Sequence, residues 1–171
     1  MSSVVDSLCT ESVFTRVFRE YSRTLYNYLY YSCGDHSLSE DIAQEAFLKL
    51  WHNCASVSLQ TARGYVFTTG RNLLYNVFEH QKVKLKFINH GHSDRTNINP
   101  EFLMEEAEMK QQLEQAISNL PEKQRVVFLL SRIDKKSYKE IAEIEGISKQ
   151  AVEKRIYNAL DSLRKISKRI K

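Results

Sequence analysis

SYKEIAEIEGISKQAVEKRIYNALDSLRKI, residues 137–166, decides how this chain folds. Tyr138, Ile141 and Ala142 form a short apolar pattern that stops at Gly146, the only glycine beyond Gly91. A longer pattern follows in Val152, Ile156, Ala159, Leu160 and Leu163. Spacings of three, four and seven put these side chains on one stripe of a helix. Ser148 suits the N-cap of the second helix, because its hydroxyl can accept from an unpaired backbone N–H. Gly146 suits a turn that needs positive φ. Two helices joined by a short glycine turn make a helix-turn-helix, whose second helix enters a DNA major groove.

At about 100° per residue, an inward Val152 turns Gln150, Lys154, Tyr157 and Asp161 outward, with Glu153 and Asn158 flanking them. Amides read adenine edges, and lysine reads guanine or holds a phosphate. A plain helical hairpin with a solvated face has the same pattern, and charge separates the two. Residues 122–171 carry 14 basic and 7 acidic side chains, a net of +7. Residues 1–81 carry 6 and 8, and residues 82–121 carry 5 and 6. The positive excess sits with the motif, as a footprint for phosphate requires.

Two prolines and five glycines in 171 residues, with long 3.6-residue periods, predict an all-α chain of one or two small domains. Cys9, Cys33 and Cys54 are odd in number and lack CxxC spacing, which predicts reduced thiols rather than a disulfide framework or a zinc finger. The longest apolar run of the C-terminal half, Val126 to Leu130, is far too short to span a bilayer. No basic segment followed by an apolar one opens the chain, so no signal peptide is expected and the expected location is cytoplasmic. A phosphate-cradling glycine loop, a nucleophile motif and a metal spacing are all missing from the sequence, which argues against an enzyme and against any cofactor.

Residues 1–10 read as a flexible N-terminus. Phe14, Val17, Phe18, Tyr21, Leu25, Tyr28 and Leu29 mark a helix from Glu11 to Tyr31, ended by Cys33-Gly34-Asp35-His36. Ser37 with Glu40 reads as a capping box for the next helix, whose buried stripe is Ile42, Ala43, Ala46, Phe47 and Leu50. The rest of its surface fits two readings, a solvated face or an acidic, aromatic-tipped docking surface. Asn53–Gln60 reads as a polar loop, and Thr61–Gln81 as a helix with Val66, Leu73, Leu74 and Val77 inward. Tyr65, Phe67, Tyr75 and Phe78 share that segment with Arg63, Arg71 and Asn72, the mixture that single-stranded nucleic acid uses for stacking and phosphate contact. Core packing claims most of these rings, leaving one or two for bases. After Lys82, Lys84 and Lys86 the periodicity dissolves into a polar stretch ending at Pro100, where the lone pair His90 and His92 reads as loop rather than metal site. The predicted organisation is a first domain over 11–82, a linker over 83–100, and a second domain over 101–171. In the last, Leu103, Ala107, Leu113 and Ile117 mark one helix, and Val126, Val127, Leu129 and Leu130 supply a second core.

DIAQEAFLKLW, GRNLL and LPEKQRVVFLLSRIDKKSYKEIAEIEGISKQAVEKRIYNALDSLRK together resemble the extracytoplasmic-function (ECF) group of the sigma-70 family. GISKQAVEKRIYNAL is similar to the branch common in Bacteroidetes, often paired with membrane anti-sigma proteins. The resemblance implies two helical domains on a flexible linker, the second a helix-turn-helix of winged-helix-like type. It implies an alternative sigma factor, bound to core RNA polymerase through the β′ clamp helices and β flap and to promoter DNA. Core binding would fall to Asp41, Gln44, Glu45, Phe47, Lys49 and Trp51. Reading and melting of the minus-ten element would fall to Arg63, Tyr65, Arg71, Asn72, Tyr75 and Asn76. Lys149, Gln150, Glu153, Lys154, Arg155 and Asn158 would read the minus-thirty-five element. Five positions depart from the common pattern: Tyr65 for tryptophan, Lys135-Lys136 for an acidic-glycine pair, Ala151 for threonine, and Asn158 for arginine.

A stand-alone helix-turn-helix regulator with a sensing or dimerising N-terminal half is the competing class. Asp41–Trp51 and the aromatic-basic helix discriminate, since a sensory domain needs neither.

Overall fold

The computed structural model describes residues 7–81 and 110–167. It is helical throughout those residues: α1 Glu11–Cys33, α2 His36–His52, α3 Leu59–Gln81, a helix over 110–118 (α4), α5 Glu122–Arg132, α6 Tyr138–Glu145 and α7 Lys149–Ser167. No strand forms among the described residues, so the helix-turn-helix carries no wing within them. The stretch expected to act as a linker, with the three lysines, both histidines, Leu103 and Ala107, lies outside the described residues.

Local chemistry sets most boundaries. Gly34, at φ 71°, caps α1 by giving its N–H to the Tyr30 carbonyl. The capping box expected at Ser37 is displaced by Asp35, whose carboxylate accepts from the Leu38 N–H at 3.0 Å and starts α2 at His36. A carboxylate at the positive helix end outcompetes a hydroxyl two residues on. A capping box does occur at α6: Ser137 accepts from the Glu140 N–H, and the Glu140 carboxylate accepts from the Ser137 N–H at 2.8 Å. The bonds from Ser137 hold the Glu140 carboxyl below the usual carboxylate range. Ser148 caps α7 as the sequence predicts, accepting from the Ala151 N–H at 3.2 Å. Gly146, at φ 66°, makes the turn, and the N–H of Ile147 returns to the Ala142 carbonyl.

The end of α5 uses the same geometry without glycine. Lys135 stands at φ 54°, and the Lys136 N–H reaches back to the Leu130 carbonyl at 3.0 Å. This is the left-handed closing residue of a helix, a place where a β-carbon costs about 1 kcal/mol. The left-handed φ falls on Lys135, the first residue of the Lys135-Lys136 departure.

Two halves are recognisable, α1–α3 and α4–α7, yet they share one buried cluster rather than the two separate cores expected. Helix α1 packs against α2 and α3 on one side and α5 on the other. Leu25, Leu29, Val66, Phe67, Val127, Leu130, Ile141, Ile144 and Val152 are all sealed from solvent within it. Each such side chain contributes about 1.5–3 kcal/mol of burial. Gly70 lets α3 approach α1 closely: a β-carbon there would meet a Leu25 methyl at 3.0 Å.

The N-terminus is not loose from residue 7 onward. Leu8 is 1% exposed, and Cys9 is joined to Cys54 by a disulfide that ties the segment before α1 to the loop after α2. This overturns the expectation of three reduced thiols. Only Cys33 is free among the described residues, and it is buried. Spacing in sequence cannot reveal a pair 45 residues apart, because the fold supplies their proximity.

Arg125 joins the halves. It is 7% exposed, and its guanidinium donates to the carbonyls of Tyr31 (3.0 Å) and Ser32 (3.2 Å) at the end of α1, and to those of Ser118 (3.1 Å) and Leu120 (3.2 Å) after α4. Burial lowers its pKa from the usual value, an effect Glu122 partly counters. Asp134 adds a second cross-link, accepting from Asn27 at 2.9 Å and from the Tyr31 hydroxyl at 3.1 Å. Arg125→Met strips donors from buried carbonyls, at about 1–3 kcal/mol for each group left unpaired. Urea denaturation is expected to show a loss of about 3 kcal/mol or more, not recovered by Arg125→Lys, whose point charge cannot fork between two helix ends. A midpoint within error of the parent contradicts this role.

Candidate nucleic-acid interface

Three surfaces collect the residues singled out in the sequence. On α2, Asp41, Gln44 and Glu45 are exposed on one side, and Lys49 pairs with Glu45 at 3.1 Å. Trp51 is 39% exposed at the end of the helix. Phe47 is only 3% exposed, a core residue whose edge lines the groove formed with Phe14, Phe18, Leu48 and Trp51. Its ring meets Phe18 edge-on at 4.8 Å, and Phe14 meets Trp51 at 4.9 Å. Phe14, Phe18, Leu48 and Trp51 thereby line an apolar groove of about 590 Å³ beside Gln44. The sequence shows Phe14 and Phe18 only as markers of α1; Phe18 is 42% exposed, and both line this surface.

The second surface is a polar cleft of about 980 Å³ along α3 and the loop before it. Arg63, Tyr65 and Asn72 line it with Ser56, Gln60, Thr61, Thr68 and Thr69. Tyr65 is half-buried, its hydroxyl 3.5 Å from the Lys49 carbonyl, too long to hold the ring firmly. Phe67 is fully buried and Tyr75 is 61% exposed, so the core claims the first ring and leaves the second to solvent. Tyr75 and Asn76 lie further along the helix, exposed and outside the cleft.

The cleft has one wall from the other half of the chain, Glu143 of α6. Arg63 donates to the Glu143 carboxylate at 2.6 Å and to the Glu140 carbonyl at 3.3 Å, and its guanidinium lies 6.0 Å from the Tyr21 ring centre. Arg71 donates to the Glu145 carbonyl at 2.7 Å, against the turn at Gly146. That carbonyl is at the negative end of α6, where a cation is favoured. Glu143 is half exposed, so its ion pair is worth under about 1 kcal/mol.

The third surface is α7. Val152, Ile156 and Ala159 are buried, and Gln150, Glu153, Lys154 and Tyr157 are exposed, Tyr157 by 68%. Lys149 pairs with Glu153 at 3.6 Å. Asn158 is half-buried beside this face. Arg155 turns aside, bonding the Glu145 carboxylate at 2.5 Å and bracing α7 against α6. Gln150, Lys154 and Tyr157 thus share the solvent face, as the helical rotation predicts, with Arg155 beside it in its ion pair.

Residues 17–83 match the Sigma-70 region 2 family, and residues 110–163 match Sigma-70 region 4. The chain is a sigma-70 region 2 followed by a sigma-70 region 4. Region 2 holds the first two surfaces, and region 4 holds the third. RNA polymerase sigma factor YlaC of Bacillus subtilis is 27% identical over 154 residues, covering 87% of this chain and 88% of that protein. ECF RNA polymerase sigma factor SigW of the same organism is 26% identical over 166 residues, covering 91% and 89%. The ECF RNA polymerase sigma-E factor of Escherichia coli is 27% identical over 136 residues, covering 72% and 70%. Among solved structures, the sigma factor RpoE of Bartonella quintana, in complex with the anti-sigma factor NepR, superposes with a TM-score of 0.65 at 18% identity, covering 91% of this chain and 96% of that one. CnrH, in complex with the cytosolic domain of CnrY, gives 0.60 at 19% identity, covering 93% and 90%. These two superpositions establish the likeness in fold.

If the exposed face of α7 reads bases, Gln150→Ala and Lys154→Ala should each weaken duplex binding by about 1–3 kcal/mol where a bidentate base contact is lost. Footprinting on a responsive promoter checks this, and an unchanged upstream footprint counts against the face.

Proposed function

We infer that the chain is an alternative sigma factor of the ECF group, which binds core RNA polymerase, directs it to promoters and helps melt the duplex. The observation that carries this is the joining in one chain of a region 2 and a region 4, each with its polar face outward on α2 and α7. No helix among the described residues is long and apolar enough to cross a membrane. The protein works by binding, in the cytoplasm where the polymerase is.

Each surface takes a role. Asp41, Gln44, Glu45, Lys49 and Trp51 dock on the β′ clamp helices, beside the groove that Phe47 lines with Phe14, Phe18 and Leu48. The cleft of Arg63, Tyr65 and Asn72 receives a minus-ten base, with Arg71, Tyr75 and Asn76 along the strand. Flipping a base costs a few kcal/mol, about what stacking on an aromatic ring returns. Gln150, Lys154 and Asn158 read the minus-thirty-five element, with Lys149 and Glu153 at its edge, while region 4 meets the β flap. Two modest DNA contacts reinforce each other once the polymerase links them.

The RpoE and CnrH relatives were solved with NepR and CnrY. An anti-sigma protein, membrane-anchored in the manner of the Bacteroidetes branch, is the regulatory partner we assign to this chain.

Run-off transcription on genomic fragments with purified core polymerase tests the reading; discrete transcripts that need this protein are expected. Asp41→Lys with Glu45→Lys should abolish co-purification with core polymerase while thermal unfolding stays cooperative. Undiminished co-purification would remove α2 from the docking surface.

A further inference from the structure

We propose that Cys9 and Cys54 are a reversible oxidation site, oxidised by hydroperoxides and reduced by dithiols, whose bonded form orders the polymerase-docking groove. The inference rests on the placing of this protein in the cytoplasm and of α2 on the polymerase. The two cysteines are joined in the structure across 45 residues of sequence. Thiols in the cytoplasm are kept reduced, and a disulfide that forms there is typically transient or redox-sensing. Cys9 is exposed and Cys54 half-buried, so small oxidants and reductants reach the pair. Their Cα atoms lie 5.0 Å apart, a spacing that a disulfide spans without backbone movement. Cys33 is buried and bonded to Ser39 at 3.2 Å, which confines the exchange to the one pair.

The bond sits where it can act on the groove. Helix α1 begins without a side-chain cap, and its first turn carries Phe14, whose N–H donates to the Thr10 carbonyl at 2.9 Å. Cys9 is the residue before Thr10. At the end of α2, the Cys54 N–H donates to the Trp51 carbonyl at 3.2 Å. Phe14 and Trp51 meet at 4.9 Å, and both line the groove. With the bond closed, the uncapped turn of α1 is held against the end of α2. With it open, that turn frays as unsupported helix ends do. Leu8, 1% exposed, still anchors the segment and keeps Cys9 within reach of Cys54. The change is one of order rather than of fold. Ordering one bulky side chain on binding costs roughly a two- to ten-fold factor in affinity, which the closed bond removes in advance.

In the oxidation, the Cys9 thiolate attacks one oxygen of a hydroperoxide and the O–O bond breaks. A sulfenic acid forms and an alcohol is released, or water when the oxidant is hydrogen peroxide. The Cys54 thiolate then attacks that sulfur, the S–S bond forms, and hydroxide leaves. Two electrons pass from the sulfurs to the peroxide, and the two thiol protons end on the alcohol and on water. In the return, one thiolate of a dithiol opens the bond through a mixed disulfide. Its second sulfur closes on the first, leaving both cysteines as thiols and the reductant as a cyclic disulfide.

The full chain, treated with hydrogen peroxide or with dithiothreitol and desalted before polymerase is added, tests the site. Maleimide in denaturant counts reactive thiols by intact mass, and biolayer interferometry reads affinity for core polymerase. Of the three cysteines, one should react after peroxide and all three after dithiothreitol. The oxidised form should bind roughly two- to ten-fold more tightly than the reduced form. Cys9→Ser and Cys54→Ser should each keep the reduced affinity after either treatment. A thiol count that the treatments leave unchanged overturns the proposal. So does equal affinity of the two forms, or a Cys54→Ser variant whose affinity still rises with peroxide. The two forms of the parent chain decide even where a variant fails to fold. Binding by neither form removes the sigma-factor reading on which the site depends, whereas equal binding by both removes the redox site alone.

Discussion

A single buried guanidinium holds this molecule in its shape. Every helix ends with carbonyls that lack an intrahelical partner, and burying them unpaired is costly. Helix α1 ends inside the protein, and so does the segment after α4. Arg125 answers both, with two donors to each end, and its charge is favoured at the negative pole of α1. Hydrating the Tyr31 and Ser32 carbonyls instead would require region 4, which carries Arg125, to leave region 2. The position of one half on the other is thus written into the hydrogen-bonding needs of two helix ends.

From that constraint the remaining contacts follow. With α5 set against α1, α6 lies across α3, and Arg63 and Arg71 find their partners there. These outer contacts are weak by comparison, being half-solvated, so they can be exchanged for other anions. The buried contacts set the arrangement.

Much of this could be read from residues alone. The apolar stripe of α7, the turn at Gly146 and the cap at Ser148 each follow from local chemistry, and the structure has them where the periods place them. The face carrying Gln150 and Lys154 was equally legible, since a helix fixes rotation once one buried residue is known. Long-range pairings were not. Phe47 belongs to the apolar stripe of α2 in the sequence, but its edge-on contacts with Phe14 and Phe18 of α1 come only with the fold. The partner of Arg155, Glu145 across the turn, is likewise supplied by the fold. Cys9 and Cys54, and Arg125 with its four carbonyls, are brought together only by the folded chain. Asp35 and Ser37 are both good caps two residues apart, and the carboxylate prevails through its charge at the helix end.

The account depends on Arg125 holding region 4 against region 2. Single-molecule energy transfer between dyes on His52 of α2 and Lys165 of α7, both exposed, measures this directly. The parent protein should give one narrow distribution, and Arg125→Met should broaden it towards longer separations. A broad distribution in the parent, or one that Arg125→Met leaves unmoved, would contradict the account.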